Sequence, residues 1–111
     1  MKKFKGITFK DTTVYRYQSS IIAEDCVFRN VDFIGVELSN IHFKFCRFYN
    51  CTFDWDSHLM YCKFYWCDFY DCVSEAYMSY TQLIGNRGVT STQPNYGTRS
   101  DWLPFKLKEA E

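Results

Sequence analysis

From Cys26 onward, apolar residues fall at the first and third places of successive groups of five: CVFRN, VDFIG, VELSN, IHFKF, CRFYN and CTFDW. The third places are Phe28, Phe33, Leu38, Phe43, Phe48 and Phe53, and the first are Cys26, Val31, Val36, Ile41, Cys46 and Cys51. After one extra residue the register resumes as SHLMY, CKFYW, CDFYD and CVSEA. A period of five matches neither the 3.6 of a helix nor a long flat strand. Residues two apart share a strand face, so each group predicts a short strand with two inward residues, followed by a corner.

A longer period sets the number of sides. CVFRN, CRFYN and CDFYD are near copies. VDFIG aligns with CTFDW and CVSEA, VELSN with SHLMY, and IHFKF with CKFYW. The spacing is twenty residues, or twenty-one across the insertion at Asp54-Trp55-Asp56. Four groups therefore make one turn of an all-β, four-sided coil. Its interior is predicted to contain columns: Phe28, Phe48 and Phe69 on side one, Phe33 and Phe53 on side two, Leu38 and Leu59 on side three, Phe43 and Phe64 on side four. Each turn buries its interior only against its neighbours. Burying one Phe stabilises by roughly 1.5–3 kcal/mol, so these columns should dominate folding. Asn30, Asn50 and Asp71 form a corner column suited to bonding turn backbone groups.

The pattern is weaker towards both ends. Ile7-Thr8-Phe9 and Thr12-Thr13-Val14 continue it backwards, Met78 and Leu83 forwards. Tyr15 to Ala23 fits poorly and predicts a distorted first turn or a cap. Ser74 puts a small polar residue at a core place, predicting a narrower last turn. The coil is assigned to residues 1–84 and an irregular tail to 85–111. The tail holds Gly85, Gly88, Pro94, Gly97 and Pro104 and reads as loop, with a short helix near 105–110. Its Trp102, Leu103 and Phe105 could cover the open coil end or meet a second copy, as exposed solenoid ends need capping.

The chain has 111 residues, a single-domain length, with 47% hydrophobic and 21% aromatic residues. Its formal net charge is zero, which argues against direct nucleic-acid binding by bulk charge. The distribution is uneven. Residues 1–20 carry five basic and one acidic side chain, residues 21–83 four basic and nine acidic. No apolar run reaches membrane-spanning length, and no apolar stretch follows Met1-Lys2-Lys3-Phe4 as a signal peptide requires. The expectation is a cytoplasmic protein with reduced thiols.

Cys26, Cys46, Cys51, Cys62, Cys67 and Cys72 all occupy first places, where Val31, Val36 and Ile41 stand elsewhere. They are expected to be small core residues, since inward columns do not form a four-ligand zinc knuckle. His42 and His58 stand at outward second places without a nucleophile or carboxylate in catalytic reach. No phosphate loop or nucleophile motif is present. No catalytic, cofactor or metal residue is assigned, and the chain is expected not to be an enzyme.

The repeat resembles the pentapeptide-repeat family in its Cys-x-Phe-x-x form, most strongly over residues 26–73. The resemblance implies a right-handed quadrilateral β-helix and a protein-binding role. Its quinolone-resistance and gyrase-inhibitor members are understood as DNA mimics that act on type II topoisomerases. On that reading, the outward carboxylates Asp32, Glu37, Asp54, Asp56, Asp71 and Glu75, gathered around side two, would dock on a bacterial DNA-handling enzyme. The alternative is an aromatic patch made by Phe45, Tyr61, Tyr65 and Trp66 around side four, with Trp55 at the insertion. Tyr and Trp are enriched at interfaces, and such a patch would suit a phage or mobile-element protein that neutralises a host defence protein. Aromatic ladders also simply stabilise stacked strands. A third reading is structural: homodimer assembly through the coil end or tail. The partner is expected to be a protein, with no membrane involved.

Overall fold

In the computed structural model, residues 1–88 and the backbone of Leu103–Pro104 are described. Thirteen short strands run from β1 (Lys2–Lys5) to β13 (Gln82–Ile84), and no helix occurs among the described residues. Accordingly, none of these residues forms a helix long and apolar enough to cross a membrane. The pairing is parallel at a separation of one turn. β2 (Thr8–Val14) lies on β4 (Val27–Phe33), and β4 on β6 (Arg47–Tyr49) and β7 (Thr52–Phe53). These make sides one and two, which β10 (Asp68–Tyr70) and β11 (Val73–Ser74) continue. Sides three and four run from β1 and β3 (Gln18–Glu24) through β5 (Glu37–Lys44) to β8 (His58–Met60) and β9 (Lys63–Tyr65). β12 (Tyr77–Ser79) and β13 complete them. The fold is a four-sided β-solenoid.

The interior is the set of columns that the period requires. On side one, Phe48 stacks between Phe28 and Phe69 at 4.7 Å from each, and Phe9 extends the column, 5.1 Å from Phe28. Phe33 stacks on Phe53 at 4.4 Å and Phe43 on Phe64 at 4.6 Å. Leu38 lies in register with Leu59. These spacings follow the strand separation of a sheet, so ring stacking and backbone pairing satisfy the same repeat.

The first places have a second role besides filling space. The Cys46 thiol donates to the Ala23 carbonyl at 3.3 Å, Cys51 to Phe28, Cys62 to Leu38, Cys67 to Phe43 and Cys72 to Phe48. Each bond reaches the turn before, and Thr81, Asn86 and Ser57 bond the equivalent carbonyls of Leu59, Phe64 and Phe33. Cysteine suits this slot because it is small, apolar and a weak donor.

Three of the four corners are regular, and each places one residue in the left-handed region. After side one these residues are Asp11, Asn30, Asn50 and Asp71; after side three, Ser20, Asn40, Tyr61 and Tyr80; after side four, Gly6, Asp25, Phe45, Trp66 and Gly85. The corner column of Asn30 bonds side chain to side chain instead of to turn backbone. Asn50 Nδ2 donates to Asn30 Oδ1 at 3.2 Å, and Asn30 Nδ2 to Asp11 Oδ1 at 3.0 Å.

The corner after side two is irregular. Its span runs from Val14 to Gln18, Phe33 to Leu38, Phe53 to Leu59 and Ser74 to Met78, as the register of neighbouring turns shows. The first and last turns are each shortened there and the third is lengthened. This explains the poor fit of Tyr15–Ala23: one residue is missing at the corner, while Gln18–Glu24 pairs in register with residues 38–44. Ser74 does occupy a core place and is fully buried. Beyond Ile84, Asn86 and Arg87 continue the bonding of side one onto Cys67 and Asp68. The backbone of β14 (Leu103–Pro104) pairs antiparallel with Tyr77 and Met78. Trp102, Phe105 and the helix expected near 105–110 lie outside the described residues.

Candidate interaction surface

Side four shows outward residues at its second and fourth places, including His42 and Lys44 in one turn and Lys63 and Tyr65 in the next. The Tyr65 hydroxyl donates to Gln82 Oε1 at 2.9 Å. The left-handed residues of the two bordering corners flank this surface. Tyr61 and Tyr80 stand on one edge with their rings stacked at 5.0 Å, and Phe45 and Trp66 on the other. Four of the sequence-assigned residues (Phe45, Tyr61, Tyr65 and Trp66) thus meet around one face. Trp66 lies against Gly85 of the turn beyond, where a Cβ would run into its indole ring. Tyr80 is not singled out by the sequence pattern, because it stands where the repeat becomes faint.

These corners are energetically unusual. A left-handed backbone costs a residue with a Cβ roughly 1–2 kcal/mol, and Gly, Asn and Asp bear it best. The side-one corner obeys that rule throughout, with Asp and Asn. The corners beside side four place Phe45, Tyr61, Trp66 and Tyr80 there instead, with φ between 50° and 56°. Phe45, Tyr61 and Trp66 are also 57%, 54% and 58% exposed. Neither backbone preference nor burial accounts for large rings at these places. Strained residues of this kind gather at functional sites.

The acidic set is more dispersed. Asp32 occupies an outward column of side two whose registered neighbours are Thr13 and Thr52, with Val73 beyond. Asp54 belongs to the corner structure: its Oδ1 accepts from the Gly35 amide at 3.0 Å and the Ser57 hydroxyl at 2.7 Å. Asp56 and Glu37 are exposed beside that corner, and Glu75 is exposed at the last turn. Asp71 stands at the opposite border of side two, in the left-handed column after side one. Trp55 is 67% exposed at the irregular corner, near the places of Tyr15 and Ile34 and away from side four.

The six cysteines are buried and free. Burial pushes Cys62 up to about 12. Hydrogen bonding with Cys67, followed by burial, raises Cys46, and bonding with Cys72, followed by burial, raises Cys51. These three thiols therefore stay protonated at neutral pH, the inert form of the group. His58 is half-buried, Nε2 lies 3.0 Å from the Ser79 hydroxyl, and burial lowers its pKa to about 4. Burial, then Lys63 and Lys44, lowers His42. Among the described residues no group of three or more His, Cys, Asp or Glu is arranged to hold a metal ion.

Residues 26–55 match the family model described as pentapeptide repeats (8 copies). Among solved structures, the chain is similar to that of QnrB1, a plasmid-mediated fluoroquinolone resistance protein, with 12% identity and a TM-score of 0.46. The similarity covers 93% of this chain and 51% of the other, so the chain spans about half the length of that protein. No curated protein matches the chain.

Proposed function

We propose that this pentapeptide-repeat protein is a non-enzymatic module that binds a protein partner through the aromatic corners bordering side four. One observation carries the reading: Phe45, Tyr61 and Trp66 combine a left-handed backbone with more than half exposure, a placement unfavourable to folding in two respects. A partner that buries the rings gives them a use, as rigid aromatic anchors form the centres of protein interfaces. Lys44 and Lys63 between the two edges favour a partner with acidic groups facing them. A bacterial enzyme or host defence factor fits this reading, with the protein acting as its inhibitor in the cytoplasm.

The test is affinity capture from bacterial lysate, with bound proteins quantified for wild type, Phe45→Asn/Tyr61→Asn and Asp32→Lys/Glu75→Lys. The expected result is a partner retained by wild type and the charge variant and lost by the corner variant. A partner held equally by all three sinks the proposal.

A second reading keeps side two as a DNA-mimicking face for a topoisomerase-like enzyme. Its support is the absence of Lys and Arg from residues 31–35, 51–56 and 72–76 together with their acidic residues. Here the charge variant loses the partner, and purified protein inhibits DNA supercoiling by gyrase. Unchanged supercoiling at saturating protein removes it.

A further inference from the structure

The coil opens at its N-terminal end onto an apolar cavity of about 230 Å³. Protein interiors contain few voids larger than a water molecule. This one is large enough for water, yet its mostly apolar walls offer water few partners. It arises from three third places. Ala23 stands in the side-four column where Phe43 and Phe64 stand below it; Gln18 stands above Leu38, and Val14 above Phe33. Phe4 and Phe9 meet edge to edge at 5.7 Å over the same end, and both line the cavity.

The rim adds two more properties. β1 pairs only with β3, and β2 only with β4, so among the described residues each leaves one backbone edge unpaired. Such edges are templates for added chain. The rim is also basic: Lys2, Lys3, Lys5, Lys10 and Arg16 against Asp11, with Glu24 below, 3.6 Å from both Lys3 and Lys5. Like charges oppose a second copy of this end, as lysines on an edge strand do. The tail strand Leu103–Pro104 pairs with Tyr77 and Met78 in the last turn, at the other end of the coil. An occupant of complementary chemistry is acidic, extended and apolar at one place.

We propose that the N-terminal mouth is a docking site for an extended acidic segment of a partner protein, which sets one large apolar side chain into the cavity between Phe4, Phe9 and Ala23. Its carboxylates face the lysine rim, and its backbone meets the free edges of β1 and β2. This surface is separate from the corners beside side four.

A synthetic peptide, acetyl-Asp-Glu-Phe-Asp-Glu-amide, is titrated into the full chain and followed by amide chemical shifts and calorimetry. The expected result is saturable binding with shifts confined to residues 2–24 and to the cavity floor of Phe28, Val31, Phe33, Leu38, Ile41 and Phe43. Affinity should fall about tenfold or more, equivalent to about 1.4 kcal/mol, in Ala23→Met, which fills the cavity, and in Lys3→Gln/Lys5→Gln, which leaves the core untouched. It should be unchanged in Phe45→Asn. Replacing the peptide's Phe by Ser should abolish binding. Absence of saturation at about 1 mM, binding indifferent to the Lys3→Gln/Lys5→Gln change, or shifts centred on another side overturns the proposal. So does self-association through this end, seen as a concentration-dependent mass in solution that Ala23→Met abolishes.

Discussion

Replacing Phe45 by Asn should leave stability nearly unchanged, although a large aromatic side chain is removed. Phe45 is 57% exposed, so less than half of a fully buried Phe's 1.5–3 kcal/mol is at stake, about 0.6–1.3 kcal/mol. Its φ of 55° costs about 1–2 kcal/mol for a residue with a Cβ, much of which Asn recovers because it tolerates the left-handed region. The two effects oppose each other, and the net change should lie within about 1 kcal/mol of zero. Phe48 is the contrasting case. It is fully buried between Phe28 and Phe69 and near Phe43, Phe53 and Phe64. Phe48→Ala should cost about 3–5 kcal/mol, a large share of the 5–15 kcal/mol typical of a whole domain. Urea unfolding followed by far-ultraviolet circular dichroism gives both values from the midpoint and slope. A loss above about 2 kcal/mol for Phe45→Asn would refute the reasoning, because the ring would then be serving the fold.

The remaining predictions concern single side chains. Asp54→Ala should lose about 1–3 kcal/mol by removing the charged acceptor shared by the Gly35 amide and the Ser57 hydroxyl, which keeps only the Phe33 carbonyl, whereas Asp32→Ala should change urea stability by less than about 0.5 kcal/mol; equal losses would contradict the corner assignment. His58 titrates near 6.5 when unperturbed and about 4 when folded. The unfolded chain therefore binds its proton more readily, and the stability it contributes is complete above 6.5 and declines as pH falls towards 4. Urea midpoints measured across that window should show a shallower decline in His58→Gln. Ser74 Oγ is buried without a hydrogen-bond partner among the described residues, so Ser74→Ala should raise the melting temperature, by an amount equivalent to about 1 kcal/mol; a lower melting temperature would mean the hydroxyl is bonded.

Much of the fold is legible in the sequence because two periods coincide. The five-residue group places Phe28, Phe48 and Phe69 inward, and the twenty-residue turn places them above one another. The irregular corner is less legible. The insertion at 54–56 is visible because strong groups flank it, but the missing residue between Val14 and Gln18 is hidden by weak ones. Gln18 and Ala23 occupy core places without looking like core residues, and the cavity follows from that same substitution. The thiol–carbonyl bonds follow from geometry across turns, which composition alone does not reveal. At the candidate surface, the sequence supplies the exposed aromatics but not their backbone. The left-handed angles of Phe45, Tyr61 and Trp66 single them out from Tyr49 and Tyr70, which stack at 4.9 Å along an ordinary strand face.

The most direct test of the account is whether the rings one turn apart lie on one another in solution. Proton–proton Overhauser spectra of labelled protein should connect Phe28 with Phe48 and Phe48 with Phe69, residues twenty and twenty-one apart, with matching parallel-strand contacts between Arg47 and Asp68. Contacts among these rings only within three or four residues along the chain, or none between turns, would contradict the solenoid and with it both surfaces proposed on its sides and end.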